Sequence, residues 1–242
     1  MNSHEIALTV AIIVELLGVI FLAMFSFIKL RGTLRVFIIG LFVFLLVDAV
    51  NYGAKQLATA NAGFNINSYG IQLMIFAIQA VVLAFGAYLG TKLFVNYTYR
   101  FRDFFTMGAG TAALKLLIAA KDHYSYLQIL LGNYTVTEGG MTAEQYRQNA
   151  DLLLQKPIAE FYIFLLESAF IAIIILLGAY LSSSALGRDE DSRIYIILGA
   201  GVYIIYNAAY TALAMYVSVW LALAVGLAAA VGSVLVLRSE RD

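Results

Sequence analysis

The stretch TMGAGTAALKLLIAA, residues 106–120, consists almost entirely of small and apolar side chains, with one lysine, Lys115, in its middle. Such a run is typical of a helix that packs closely against other helices in a membrane, because Gly and Ala let backbones approach one another. An ammonium group is costly in hydrocarbon unless it has a partner. Lys115 therefore predicts a polar site inside a helical bundle.

The composition of the whole chain favours an integral membrane protein. Its 242 residues are 62% hydrophobic and 12% charged, whereas soluble domains carry roughly 25% charged residues. The formal net charge is zero, so there is no electrostatic case for nucleic acid as a partner. The absence of cysteine excludes disulfides and thiolate metal sites, and two histidines are too few for an ordinary zinc site.

Seven segments are long and apolar enough to cross a bilayer, which takes about 20 residues per helix. They are residues 6–28, 34–54, 69–95, 104–120, 158–185, 194–216 and 217–237. We therefore predict an all-α fold, a polytopic integral membrane helical bundle that forms a single transmembrane domain over residues 1–242. The lipid bilayer surrounds such a chain, and the expected location is the plasma membrane, as a multi-pass protein.

The distribution of lysine and arginine predicts the orientation, because these residues favour the cytoplasmic side of a membrane. One set of loops carries ten of them, which are Lys29, Arg31, Arg35, Lys92, Arg100, Arg102, Arg188, Arg193, Arg238 and Arg241. The opposite set carries four, which are Lys55, Lys121, Arg147 and Lys156. This bias places the N-terminus outside and the C-terminus in the cytoplasm.

The same orientation makes residues 121–157 an extracytoplasmic loop. A capping-box pattern at Thr142 and Gln145 predicts a short amphipathic helix within it. The loop is interpreted either as a segment that lies on the membrane surface or as a lid or docking surface.

Six polar or charged residues are predicted to form a layer inside the membrane. They are Glu15, Asp48, Asn51, Lys115, Glu167 and Asn207. Lys115 is expected to pair first with Glu167, because their helices are neighbours in sequence. Glu15 and Asp48 are the next candidates. Two interpretations stay open: an ion-pair lock between helices, or a polar cavity for an ion, a proton or a small molecule.

Close helix packing is predicted at glycines. GAYLG at 86–90 is a GxxxG pattern, and GAG occurs at 108–110 and 199–201. The glycines assigned to packing are Gly86, Gly90, Gly108, Gly110, Gly199 and Gly201.

Five stretches resemble the YhfC family of membrane proteins, which is grouped with the PrsW and CAAX-type intramembrane proteases. IKLRGTLRVFIIGLFVFLLVD resembles its first hairpin, and GAYLGTKLF followed by YRFRDFFTMGAG resembles its central helix pair. FYIFLLESAF resembles a helix of its second half, where the family often has a glutamate like Glu167, and YNAAYTAL resembles its last polar motif. The resemblance covers most of the chain and implies the fold of that family.

The same resemblance implies that a metal site has been lost. The proteases use paired glutamates, a second helix with histidine or glutamate, and a later histidine or asparagine with aspartate, to hold a metal and an activated water. At these motifs this chain has Ala87 and Tyr88, then Ala109 and Ala113, then Asn207 and Thr211. No histidine falls in a predicted membrane helix. We therefore expect a degenerate member with no catalytic residue, metal or cofactor, and we do not expect enzyme activity.

Two functional classes fit these features. The first is a non-catalytic subunit or accessory protein of a larger membrane complex, in contact with other membrane protein subunits. The alternative is a membrane transporter or substrate-capture subunit that binds a small molecule or ion in the polar layer. We expect the first class and keep the second as its alternative.

Overall fold

A computed structural model of the chain describes residues 2–61, 65–94, 100–132, 143–187 and 192–240. Within these ranges the regular structure is helical throughout. The α-helices are α1 (Ser3–Met24), α2 (Leu34–Ala60), α3 (Tyr69–Phe94), α4 (Phe101–Leu131), α5 (Ala143–Gln155), α6 (Ile158–Ser184), α7 (Ser192–Tyr216) and α8 (Val219–Ser239). A π-helical turn, Phe25–Lys29, follows α1, and a 3-10 turn, Ala185–Gly187, follows α6.

Seven of these helices are long and apolar enough to cross a membrane. The candidate spans are Ser3–Lys29, Leu34–Ala58, Tyr69–Phe94, Phe101–Leu131, Ile158–Gly187, Ser192–Tyr216 and Val219–Ser239. The prediction of an all-helical chain with seven such segments is confirmed for the described ranges. The orientation and the choice of membrane stay predictions.

The helix predicted over 104–120 is longer than expected. In the structure α4 runs over Phe101–Leu131, because residues 121–131 contain neither Gly nor Pro to interrupt the helix. The helix ends at Gly132, which has a φ of 72° and caps the last turn with its N–H group. As a consequence His123, expected outside the membrane helices, lies within a candidate span.

Helix α4 is the centre of the bundle. In the 18-residue apolar stretch of α4, 78% of the residues are buried, against 50% in the corresponding stretch of α6, the next most buried span. It packs against α1, α2 and α6. Its fully buried alanines, among them Ala109, Ala112 and Ala113, leave room for these neighbours to approach from several sides.

The closest backbone approach joins α2 and α4. A Cβ atom on Gly110 would collide with the carbonyl oxygen of Phe37, and one on Gly40 would collide with the backbone of α4. On the other side of α4, a Cβ on Gly108 would lie 2.6 Å from the carbonyl oxygen of Leu176 in α6. Helix α4 is therefore held between α2 and α6 by contacts that only glycine permits.

The other glycines assigned to packing behave differently from one another. Gly86 and Gly90 on α3 face side chains of α2, and Gly199 on α7 faces the backbone of α6 at Gly178. At Gly201, however, no heavy atom lies within 4 Å of an added Cβ. This differs from the sequence prediction, because the added Cβ would point into open space among the described residues.

The segment 121–157 is more ordered than a plain loop in its described parts. Its first residues complete α4, and α5 is a short helix within it. Leu153 of α5 is buried in a cluster with Ala7 of α1, Ile129 of α4 and Phe161 of α6. The capping-box pattern at 142–145 lies outside the described side chains, and the extracytoplasmic location stays a prediction.

One end of the bundle carries most of the described basic side chains. Helices α1, α3, α6 and α8 finish there, and α2, α4 and α7 begin there. The side chains are those of Lys29, Arg31, Arg35, Lys92, Arg100, Arg102, Arg193 and Arg238. We call this the basic end; under the predicted orientation it is the cytoplasmic face.

Candidate functional site

Five of the six residues predicted to form the polar layer line one cavity. They are Asp48, Asn51, Lys115, Glu167 and Asn207. Residues of α2, α3, α4, α6 and α7 form its walls, and its volume is about 160 Å³. Glu167 and Asn207 lie about 14 Å along their helices from the ends opposite the basic end. We call this the polar cavity.

Helical spacing explains why these residues share the cavity. Asp48 and Asn51 are three residues apart on α2, and Glu167, Ile171 and Ile175 follow one another at intervals of four on α6. Residues three and four apart lie on the same face of a helix. Each of these helices therefore presents a single stripe to the cavity.

A hydrogen-bonded network fixes one wall of the polar cavity. The side-chain nitrogen of Gln79 donates to the carbonyl oxygen of Val47 at 3.3 Å, and the hydroxyl of Tyr203 donates to the Gln79 side-chain oxygen at 3.1 Å. The Asn207 side-chain nitrogen donates to the carbonyl oxygen of Tyr203 at 2.8 Å. The network joins α2, α3 and α7, so it sets the position of these side chains before anything binds.

Three charged side chains line the polar cavity without a direct partner in the described part of the chain. Lys115, Asp48 and Glu167 form no hydrogen bond and no ion pair within 4.0 Å with any described residue. Lys115 is close enough to Glu167 for an electrostatic interaction, and Asp48 is close enough to Tyr203. Lys115 and Glu167 are therefore near each other, as expected, but they do not form a direct ion pair.

Two tyrosine hydroxyl groups near these charges are buried and have no partner within the described ranges. The hydroxyls of Tyr206 and Tyr210 have no hydrogen-bond partner in the described ranges, and the residues are 5% and 6% exposed. Their rings stack with centroids 5.8 Å apart, and both interact electrostatically with Glu167. Tyr210 lines the cavity. An unpaired buried hydroxyl costs about 1–3 kcal/mol, so an occupant that bonds to Tyr210 is favoured.

Glu15, the sixth predicted residue, lies elsewhere. Its Oε2 atom is hydrogen-bonded to Nδ1 of His123 at 2.9 Å, and the two residues are 1% and 4% exposed. Its Oε1 atom has no hydrogen-bond partner among the described residues. The position of Glu15 differs from the prediction, because α1 packs on α4 and α6 and contributes no residue to the lining of the polar cavity.

The polar cavity carries groups that can accept and donate hydrogen bonds. Its carboxylates can accept hydrogen bonds, and the Lys115 ammonium group can donate them. Across the described ranges, no group of three or more His, Cys, Asp or Glu residues is placed to hold a metal ion. The cavity therefore offers charge and hydrogen bonds to a solute.

Sequence reasoning missed Gln79 and did not assign Tyr203 and Tyr210 to the site. Gln79 had a usable signal, because it is a single amide within the apolar run that starts at Leu73. The tyrosines had a weaker signal, since aromatic residues are common in membrane helices and only packing shows which ones face a cavity.

Comparison of the chain with protein-family models, with curated proteins and with solved structures gives no match. The resemblance to the YhfC family therefore stays a prediction. Ala87, Ala109 and Ala113, which stand where that family would carry reactive groups, are buried in contacts between helices. Asn207 and Thr211, at the last motif, line the polar cavity.

Proposed function

We propose that the protein is a membrane transporter or substrate-capture subunit that binds a small organic cation in the polar cavity. One observation carries the proposal: Lys115, Asp48 and Glu167 line the same cavity, and none of them contacts a partner among the described residues. Charges that only locked the helices together would be expected in direct contact. The accessory-subunit function expected from sequence stays a prediction that no described contact favours.

The balance of charge favours a cation. Two carboxylates and one ammonium group leave one net negative charge when all three are ionised. A net charge at membrane depth is costly, so a bound positive charge stabilises the cavity. An anion could pair with Lys115, but it would also face the repulsion of Asp48 and Glu167.

The size and walls of the cavity favour an organic ammonium compound. About 160 Å³ is the space of about five water molecules at roughly 30 Å³ each, which is more than a bare ion fills. Phe44, Phe76, Tyr203 and Tyr210 contribute aromatic rings to the walls. Aromatic faces attract ammonium groups, most strongly where water is excluded. A primary or quaternary ammonium compound of a few heavy atoms therefore fits the site.

The route of entry follows from exposure. Asn51 is exposed, Asp48 is half-buried and Asn207 is buried, so the polar lining continues from the surface into the bundle. This opening lies in the half of the bundle away from the basic end. Under the predicted orientation, the ligand would enter from outside the cell.

Thermal unfolding of the purified protein in detergent tests the proposal. Choline and ethylammonium serve as cationic probes, acetate as the anionic probe, and neutral ethanol as the uncharged control. A ligand at 100 times its Kd adds about 2.7 kcal/mol of stability. We expect a saturable rise of the midpoint with at least one cation, no rise with acetate, and at least ten-fold weaker binding in Asp48→Asn and Glu167→Gln.

Glu160→Gln is the matched control, because Glu160 is an acid on the same helix as Glu167 that pairs with Lys156 at the surface and does not line the cavity. It should bind the cation like the unmodified protein. The proposal fails if no cation raises the midpoint, if acetate acts equally well, or if Glu160→Gln weakens binding as much as Glu167→Gln.

A further inference from the structure

An apolar groove lies between α1 and α8, on a side of the bundle that the polar cavity does not reach. Helix α1 packs on α4 and α6, and α8 packs on α6 and α7, so a gap is left between α1 and α8. Residues of α4 and α6 form the floor of this gap, and its volume is about 550 Å³. We call it the α1/α8 groove. Its size is within the range of roughly 300–1,000 Å³ that is usual for ligand sites.

Small residues form part of the floor of the groove, and larger residues of α1 and α8 form its walls. Ala112 of α4 and Ala169 and Ala172 of α6 lie on the floor, whereas Phe21 of α1 and Val234 of α8 stand on the walls. Both wall residues are exposed. Because both helices are candidate membrane spans, the groove opens sideways toward lipid.

The length of the groove matches one leaflet of a bilayer. Its lining on α1 extends from Val14 to Phe25, and its lining on α6 extends from Leu165 to Leu176. At 1.5 Å per residue each stripe is about 16 Å long. The hydrocarbon core of a bilayer is about 30 Å thick, so the groove is about as long as one leaflet is thick.

The two ends of the groove differ in charge. Arg238 lines the outer mouth at the basic end, and Glu15, held by His123, lies at the inner end. The nearby carboxylate of Glu240 accepts a hydrogen bond from Tyr180 at 3.4 Å. Arg238 therefore places a guanidinium group at the basic end of a long apolar groove.

We infer that the α1/α8 groove binds an anionic phospholipid of the leaflet at the basic end, with one acyl chain in the groove and its phosphate group paired with Arg238. The apolar lining suits an acyl chain, the length of the groove suits a chain that crosses one leaflet, and Arg238 suits the phosphate group. Arginine also suits phosphate because its fork of donors can bond two oxygens. The inference is independent of the function proposed for the polar cavity.

Native mass spectrometry of the detergent-purified, delipidated full chain tests the inference. Phosphatidylglycerol and phosphatidylcholine with the same acyl chains are titrated separately. We expect one phosphatidylglycerol to bind per chain with saturation, and phosphatidylcholine to bind more weakly. Arg238→Gln should weaken phosphatidylglycerol binding about five-fold, the effect of one basic residue near an anionic membrane surface, and leave phosphatidylcholine binding unchanged.

Two matched pairs of variants sharpen the test. Arg193→Gln removes an exposed cation at the same end outside the groove, and it should bind both lipids normally. Ala169→Phe fills the groove and should abolish saturable binding of both lipids, whereas Ala228→Phe, on an exposed face of α8, should not. If Ala169→Phe does not give a monodisperse protein, the comparison of Arg238→Gln with Arg193→Gln decides.

Three results would overturn the inference. The first is lipid binding without saturation, and the second is equal loss of phosphatidylglycerol in Arg238→Gln and Arg193→Gln. The third is a dimer that Ala169→Phe dissociates, because the groove would then hold a second copy of the chain.

Discussion

Replacing His123 with phenylalanine should destabilise the bundle by about 2 kcal/mol. The perturbation removes the hydrogen bond between Nδ1 of His123 and Oε2 of Glu15, which is 2.9 Å long and buried. Phenylalanine puts a larger aromatic ring in place of the imidazole, so the substitution removes the bond without leaving a cavity. Glu15 then has neither carboxylate oxygen paired, because its Oε1 atom already has no partner among the described residues.

The magnitude follows from the burial and charge of this pair. Hydrogen bonds between membrane helices average about 0.6 kcal/mol in double-mutant cycles. Hydrogen bonds to charged groups contribute about 1.5–3 kcal/mol, and Glu15 is only 1% exposed. A coupling near 2 kcal/mol is therefore expected. Glu15→Leu removes the stranded carboxyl group, so the double variant with His123→Phe should recover most of the loss.

The assay is reversible unfolding in mixed detergent micelles, with both single variants and the double variant measured. The exposed pair of Lys156 and Glu160 is the control, with its atoms 3.4 Å apart and both side chains 41% exposed. Its coupling should stay below about 1 kcal/mol. A Glu15–His123 coupling at or below about 0.6 kcal/mol would refute the reasoning, and so would a double variant that is less stable than His123→Phe alone.

Two further stability predictions follow from the same bundle. Gly110→Ala should destabilise it by about 1–3 kcal/mol, because the new Cβ meets the carbonyl oxygen of Phe37. Gly201→Ala, with open space around it, should be neutral or stabilising by up to about 1 kcal/mol; equal losses in the two variants, by detergent unfolding, would contradict the packing geometry. Lys115→Met should cost about 1–2 kcal/mol, less than breaking a fully buried contact pair. Adding Glu167→Gln should recover part of that loss in the same assay. If it does not, another acid is the counter-charge of Lys115.

Much of the candidate site could be predicted because depth in a membrane is a local property. Each helical residue advances about 1.5 Å along the axis, so counting from the ends of an apolar run places Asp48, Lys115 and Glu167 at membrane depth. The same counting placed Glu15 among them. Depth does not say which way a side chain faces, and Glu15 points from α1 toward His123.

The sequence alone was sufficient for the class of protein, the number of candidate spans and the residues that carry charge into them. Length and hydropathy are summed over neighbouring residues, so no tertiary contact is needed to recognise them. Packing was needed to pair Glu15 with His123 and to bring Gln79 and Tyr203 to the polar cavity. These outcomes depend on the rotation of each helix and on its neighbours, which contacts between residues distant in sequence decide. The approach of Gly40 on α2 to Gly110 on α4 is one such contact.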